Sequence, residues 1–153
     1  MAFYIFQHGL SLPKDQDPEK GLALQGMEDV QRIAGVARNY GVVVEHILHS
    51  GKKRARQTAE LIGEVLQPAR GIKEISGIKP LDDVVEFAPQ VDFKTNTMVV
   101  GHLPFLERLT SFLITGQQEP ILFKLQNSGI LCLDWIENSE TPAIKWALMP
   151  RMD

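Results

Sequence analysis

The pattern of apolar and polar residues divides the chain into two kinds of segment, one typical of strands and one typical of helices. Short apolar runs rich in β-branched and aromatic residues predict strands at 2–6, 42–48, 97–100, 128–136 and 143–149, with a shorter one at 72–75. Apolar residues at helical spacing predict helices at 24–40, 54–66 and 105–114, and a helical turn at 82–87. Gly41, Pro68 and Gly116 stand where the three helices should end. The polar stretch 10–21 is predicted to be a long loop.

The order of these segments indicates the fold class. Strands and helices alternate through the first two thirds of the chain, and two strands joined by a polar turn close it. This order predicts an α/β fold, a three-layer α/β/α sandwich with a mostly parallel central sheet. Because the 153 residues contain no repeat and no linker-like segment, we expect one domain covering 1–153.

Composition and charge narrow the function classes. The chain is 44% hydrophobic and 23% charged, which is typical of a globular protein, and its formal net charge is -3. Such a charge gives no general attraction to nucleic acid or to an anionic membrane, so an anionic ligand must be held by a local cluster of donors. The single cysteine, Cys132, lies in an apolar run and predicts buried packing rather than a disulfide. With no signal peptide and no membrane-length apolar run, we expect a cytoplasmic protein.

Three polar segments follow predicted strands and carry side chains that could bind a ligand or take part in catalysis. They are Gln7-His8-Gly9, the stretch from Ser50 to Arg54, and Gly101-His102. In an open α/β sheet the carboxyl ends of the parallel strands line the crevice in which ligands bind. We therefore expect the three segments to converge on one site.

The same three segments carry a family resemblance. Residues 50–59 read SGKKRARQTA and residues 99–104 read VVGHLP. This pattern resembles the phosphoglycerate mutase-like histidine phosphatase superfamily, whose members have Arg-His-Gly after the first strand, Ser-x-x-x-Arg-Ala-x-Gln-Thr-Ala, and a second histidine after a later strand. The short chain, the segment 22–26 before the first helix and the lack of a large inserted cap are most similar to the SixA-type phosphohistidine phosphatases.

The resemblance implies roles that fit the chemistry of these side chains. His8 is expected to be the nucleophile, because a neutral imidazole nitrogen attacks phosphorus and carries the phosphoryl group covalently. Arg54 offers a planar fork of donors to phosphate, and His102 offers a further donor. Gln7 stands where the family has arginine, and its amide is expected to bind phosphate without charge. This departure indicates either weaker phosphate binding with retained activity, which we favour, or a weakened module that only binds phosphate.

The general acid is the least defined part of the predicted site. Asp82 and Asp83 are the candidates, and the alternative for each is capping of the following helical turn. Lys52 and Lys53 are candidates for replacing the charge missing at position 7, and the alternative for both is a solvated surface position. Since the phosphorus–nitrogen bond of phosphohistidine is labile, a site without a strong acid favours that substrate over a sugar phosphate.

These observations predict a phosphohistidine phosphatase that acts through a phosphorylated His8. The expected partner is a phosphorylated protein, such as a histidine phosphotransfer domain, or a small phosphorylated molecule. The alternatives are a phosphatase for small phosphomonoesters and a non-catalytic phosphate-binding module. No cofactor is expected, and a zinc site with His46 and His49 is disfavoured because the histidines lack compact ligand spacing. The basic run 52–56 lacks the aromatic residues and basic background of a nucleic-acid site.

Overall fold

A computed structural model describes residues 1–152, and its core is a twisted six-stranded sheet with helices on both faces. The strands are β1 (Ala2–Gln7), β2 (His46–His49), β3 (Ile72–Glu74), β4 (Thr97–Gly101), β5 (Ile130–Trp135) and β6 (Pro142–Leu148). The helices are α1 (Leu24–Asn39), α2 (Lys53–Leu66), α3 (Val84–Phe87) and α4 (Phe105–Thr115), and a 3₁₀ turn at Ala88–Gln90 follows α3.

The strand order is β3-β2-β4-β1-β5-β6, and the first four of these strands run parallel to one another. The other two are antiparallel, β5 to β1 and β6 to β5. The expected mostly parallel sheet is confirmed. Because β1 and β4 are central neighbours, and β2 lies on the other side of β4, the segments that follow these three strands leave the sheet at the same edge.

Side chains of β1 alternate between two separate cores. Tyr4 and Phe6 pack on the face that α1 and α2 cover, whereas Phe3 and Ile5 pack on the face that α3 and α4 cover. Period-two alternation with both faces buried is what a central strand between two helical layers requires. The three-layer arrangement predicted from the sequence is therefore confirmed.

Most predicted boundaries lie within two residues of the observed ones, but the predicted strand at 42–48 is wrong at its start. The strand begins only at His46. Val42 instead donates its N–H to the carbonyl of Ala37 and closes the end of α1. Val44 is buried and Val43 is 60% exposed, so the β-branched residues anchor a connection rather than extend the ladder.

Cys132 lies on β5 and is buried, as predicted from its apolar surroundings. Burial raises the pKa of its thiol to about 11, because the thiolate would lose its hydration. The thiol therefore acts as a small apolar packing group. Within residues 1–152, no helix combines the length and apolar character needed to cross a bilayer.

Candidate active site

His8 directly follows β1 and is held by backbone groups on both sides. Its N–H donates to the carbonyl of Gly101 at 3.0 Å, which continues the pairing with β4 by one residue. Its ring Nδ1 lies 2.7 Å from the carbonyl oxygen of Gly9. A carbonyl oxygen only accepts, so Nδ1 carries the proton and Nε2 presents a lone pair.

Arg54, in the first turn of α2, reaches that lone pair. Its Nε–H donates to Nε2 of His8 at 3.3 Å. The pKa of His8 is lowered to about 4, mainly by burial, and the charges of Arg54 and Lys20 act in the same direction. The ring is therefore neutral at neutral pH, which is the state a nucleophile needs.

His102 follows β4, and its ring lies beside that of His8 with the centroids 5.0 Å apart. The side chain is 1% exposed. Its Nε2 lies 2.6 Å from the hydroxyl oxygen of Ser50, and its buried Nδ1 has no partner among residues 1–152. Burial, and next the charges of His8 and Arg54, lower the pKa of His102 to about 3, so this ring is also neutral.

The first two turns of α2 hold the surrounding backbone in place. The hydroxyl of Thr58 donates to the carbonyl of Arg54 at 2.7 Å and accepts the N–H of Gly9 at 3.0 Å. The preceding residue, Gln57, accepts the N–H of Leu22 at 2.7 Å with its side-chain oxygen. Arg54 and Thr58 are one turn apart and share a helix face. Through Thr58, α2 therefore connects the loop that follows His8 to the backbone of Arg54.

Gln7 lies next to His8 and is 7% exposed, and its Oε1 is buried without a hydrogen-bond partner in the described part of the chain. Lys53 does not replace the missing charge, because its ammonium pairs with Asp17 at 2.8 Å and with Glu19 at 3.6 Å. Lys20 contributes to the lowered pKa of His8, after burial, and Lys52 does the same for His102. The charges of these two lysines therefore act on the histidine rings, whereas that of Lys53 is paired.

Asp82 and Asp83 each accept backbone N–H groups of their own loop with one carboxylate oxygen. Asp83 is the N-cap of α3 and accepts the N–H groups of Val85 at 2.8 Å and of Glu86 at 3.4 Å. Asp82 accepts the N–H of Lys79 at 2.9 Å. Within residues 1–152 the structure gives neither carboxylate a hydrogen bond to His8, Arg54 or His102, so the expected convergence includes the three strand-end segments but not this pair.

Two residues that contact the site, Asn127 and Ser128, were not predicted from the sequence. Asn127 donates from its side-chain amide to the carbonyl of His8 at 3.0 Å, and Ser128 donates its N–H to the carbonyl of Gln7 at 3.0 Å. These residues precede β5, which is antiparallel, so its beginning lies at the edge where the parallel strands end. The reversal of strand direction was the signal that would have found them.

His46 and His49 take no part in a metal cluster. Nδ1 of His49 accepts the N–H of Gly51 at 3.1 Å, which is an ordinary turn contact. Across residues 1–152 no group of three or more His, Cys, Asp or Glu side chains is arranged to hold a metal ion.

The fold resembles that of the phosphoglycerate mutase-like histidine phosphatases, and the site pairs two neutral histidines with one arginine. No model of a known protein family matches the chain. The chain is similar in sequence to the phosphohistidine phosphatase SixA of Escherichia coli K12, at 23% identity over 98% of this chain and 94% of the relative.

Two solved structures show how widely this fold is shared. A structure of the protein histidine phosphatase SixA complexed with tungstate matches with a TM-score of 0.80 and 23% identity, over 98% of this chain and 97% of that one. The α-ribazole phosphatase of Shigella flexneri matches with a TM-score of 0.70 and 14% identity, over 95% of each chain. The resemblance to SixA-type histidine phosphatases is confirmed, and the same fold also occurs in a phosphatase named for a different substrate.

Proposed function

We propose that this chain is a phosphatase that hydrolyses phosphohistidine through a covalent phospho-His8 intermediate. The observation that carries the proposal is the state of His8. Its ring is neutral, its proton is held by the carbonyl of Gly9, and its unprotonated Nε2 accepts a hydrogen bond from Arg54 beside the ring of His102. A lone pair next to phosphate-binding donors is what covalent phosphoryl transfer needs.

In the first half-reaction Nε2 of His8 forms a bond to phosphorus while the phosphorus–nitrogen bond of the substrate breaks. The leaving imidazole keeps the electron pair of that bond and takes a proton from solvent. Arg54, His102 and the amide of Gln7 donate to the phosphoryl oxygens, on which the negative charge is spread.

In the second half-reaction a water oxygen forms a bond to phosphorus and the bond to Nε2 of His8 breaks. The electron pair returns to Nε2, the water gives up a proton to solvent, and inorganic phosphate leaves. Because Nδ1 stays bonded to the carbonyl of Gly9, the ring returns to its starting tautomer and the cycle closes.

A phosphohistidine substrate is supported by the position of the carboxylates. Asp82 and Asp83 bind backbone N–H groups of their own loop, and within residues 1–152 neither makes a hydrogen bond to His8, Arg54 or His102, so the side chains bonded to the two histidines include no carboxylate. A labile phosphorus–nitrogen bond makes the smallest demand on a general acid. The name of the sequence relative, phosphohistidine phosphatase SixA, points to the same substrate class. We propose a phosphorylated protein, such as a histidine phosphotransfer domain, as the partner.

The second candidate is a small phosphomonoester, because the α-ribazole phosphatase shares the fold. Turnover of a phosphohistidine protein should be compared with turnover of sugar and aryl phosphates, in the wild type and in Asp83→Ala. We expect phosphohistidine to be preferred, and Asp83→Ala to lose about 1 kcal/mol of stability through its cap while keeping its rate. Sugar-phosphate turnover that depends on Asp83 would favour the second candidate.

The phospho-enzyme can be tested directly. The protein is mixed with a phosphohistidine substrate labelled in its phosphoryl group, and the reaction is stopped by denaturation in alkali, in which phosphohistidine survives. We expect label on His8 in the wild type and none in His8→Ala. A protein that binds inorganic phosphate but neither takes up label nor turns over any substrate would be a binding module instead.

A further inference from the structure

Ser50 and His102 form a buried pair that links two strand ends. Ser50 directly follows β2 and His102 directly follows β4, and these strands are paired in register from His46 to His49. The hydroxyl oxygen of Ser50 lies 2.6 Å from Nε2 of His102. Ser50 is 5% exposed and His102 is 1% exposed, so this bond is shielded from water.

The hydrogen-bond inventory of the pair separates two proton arrangements. The hydroxyl oxygen of Ser50 also accepts the N–H of Lys52 at 3.4 Å. If the hydroxyl donates to Nε2 of His102, Ser50 is satisfied both as donor and as acceptor, and only Nδ1–H remains without a partner. If Nε2–H donates to Ser50 instead, Nδ1 becomes a buried acceptor without a partner, and the hydroxyl proton needs a different acceptor.

A phosphoryl group distinguishes these arrangements, because its oxygens accept hydrogen bonds and carry negative charge. An unpartnered Nδ1–H is a donor that a phosphoryl oxygen satisfies. An unpartnered Nδ1 lone pair would repel that oxygen, at the cost that goes with unsatisfied buried polar groups. The first arrangement is therefore the one that suits a site for phosphate.

We propose that Ser50 is a positioning residue, which fixes His102 as the Nδ1–H tautomer so that this ring donates to a phosphoryl oxygen while remaining neutral. The proposal rests on the proposed phosphatase function, and it assigns His102 the part of a neutral donor rather than that of an imidazolium. Ser50 does not touch the substrate in this arrangement. It acts through the orientation and the tautomer of the ring beside His8.

The tautomer is measured by ¹⁵N NMR of the histidine rings at neutral pH, with the resonance of His102 assigned by its loss in His102→Gln. We expect the proton on Nδ1 in the wild type and a mixture of tautomers in Ser50→Ala. We also expect inorganic phosphate to shift the Nδ1–H signal of the wild type. A proton on Nε2 in the wild type, or an unchanged tautomer in Ser50→Ala, would overturn the proposal.

Kinetics supply a second readout. Ser50→Ala should lower kcat/KM by about 10- to 100-fold, because a misplaced donor loses much of its effect on the transition state. Ser50→Thr, which keeps the hydroxyl, should recover most of the rate. In a His102→Gln background, Ser50→Ala should cost nothing further, since the residue acts through that ring. An equal cost in both backgrounds would contradict a positioning role.

Ser111→Ala is the matched control. Ser111 lies on α4, is fully buried, and donates its hydroxyl proton to the carbonyl of Pro120 at 2.9 Å. The variant should lose stability without a change in activity or in the His102 tautomer. If no substrate is turned over at all, the proposed function fails, but the tautomer and its response to inorganic phosphate still decide the assignment of Ser50.

Discussion

The side-chain Nε–H of Arg54 donates to Nε2 of His8 at 3.3 Å. The nitrogen that we propose as nucleophile is thus held by the residue that we propose as phosphate ligand. For attack to occur, Arg54 must exchange this bond for one to a phosphoryl oxygen, and the two side chains must keep their relative position when it does. That relative position depends on Thr58, whose hydroxyl joins the carbonyl of Arg54 to the N–H of Gly9.

Thr58→Val tests that link. The valine keeps the shape of the side chain but leaves the N–H of Gly9 buried without an acceptor, at a cost of about 1–3 kcal/mol. We expect this loss in chemical unfolding, together with a fall in kcat of about tenfold or more, because His8 moves relative to Arg54.

Thr110→Val is the control for this change. Thr110 is also buried, but within residues 1–152 its hydroxyl bonds only to the carbonyl of Leu106 one turn earlier in α4. No backbone donor is orphaned when that hydroxyl is removed, so we expect a smaller loss of stability and an unchanged rate. Equal effects of the two valines on kcat would argue against the role of Thr58.

The low pKa values of His8, about 4, and His102, about 3, predict how stability depends on pH. An unfolded chain protonates both rings near pH 6.5, whereas the folded chain does not, so the unfolded state binds more protons between about pH 4 and 6.5. Stability should therefore fall as the pH is lowered through this window, by roughly 1–2 kcal/mol for each ring between pH 7 and pH 5.

Urea unfolding at pH 7 and pH 5 measures this slope. Replacement of either ring by asparagine, in His8→Asn and His102→Asn, should remove its share, because an amide does not titrate. A wild-type stability that is the same at both pH values would show that the two rings are not held neutral by burial.

The position of the site could be predicted from the sequence, because it depends on strand order and direction. His8, Arg54 and His102 each follow a parallel strand or open the helix after it, and such residues meet at one edge of the sheet. The bond between Ser50 and His102 could not be predicted, since a 2.6 Å contact depends on the exact approach of two strands. Asn127 required knowledge that β5 reverses direction.

The N-terminal strand of the predicted sheet was also easier to place than the second. Residues 2–6 are apolar on both faces because the strand is central, so every position supports the same interpretation. Residues 42–44 are three valines, which also favour a strand, but Val44 is buried by packing in a connection and not by a ladder. Composition alone does not separate these two reasons for burial.

A contrast of two glycines on α1 tests how the loop after His8 is seated. A Cβ on Gly26 would run into the backbone of Leu10, two residues after His8. Gly26→Ala should therefore destabilise the fold by about 1–3 kcal/mol or more and reduce activity. A Cβ on Gly35 meets nothing within 4 Å, so Gly35→Ala should stabilise the helix by about 0.5–1 kcal/mol.

Both alanine variants are compared by chemical unfolding and by turnover of the same substrate. If Gly26→Ala were as harmless as Gly35→Ala, the segment after His8 would have freedom to move away from α1, and the rigid seating of the nucleophile would be contradicted.

Gln7→Arg tests the meaning of the missing charge next to His8. Gln7 is only 7% exposed, so an arginine there would face a phosphate with little water between them. A bond in which both partners are charged is about twice as strong as a neutral one. We expect inorganic phosphate to inhibit this variant about tenfold more strongly than the wild type. We also expect turnover by the variant to be limited by the slower release of phosphate.

Gln31→Arg adds the same charge on the exposed surface of α1 and should leave phosphate inhibition unchanged. A large gain in kcat for Gln7→Arg, rather than tighter inhibition, would show that the glutamine had weakened catalysis. The comparison thus separates a site tuned for release from a site that has lost function.

Lys20 is expected to supply part of the charge that position 7 lacks. Its loop is fastened to α2, because Asp17 accepts the ammonium of Lys53 at 2.8 Å and the N–H of Gly21 at 2.9 Å. Lys20 adopts a left-handed backbone conformation, with φ of 53°, within this fastened turn, and its charge adds to the effect of burial on the pKa of His8.

Lys20→Gln should weaken inhibition by inorganic phosphate by about two- to fivefold at low ionic strength, because an exposed charge contributes below about 1 kcal/mol. The effect should shrink as salt is added, since the charge is screened. Lys14→Gln removes an exposed lysine of the same loop and should have a smaller effect at every salt concentration. Equal effects of the two changes would mean that only the total charge of the loop acts on phosphate, and that the position of Lys20 has no particular importance.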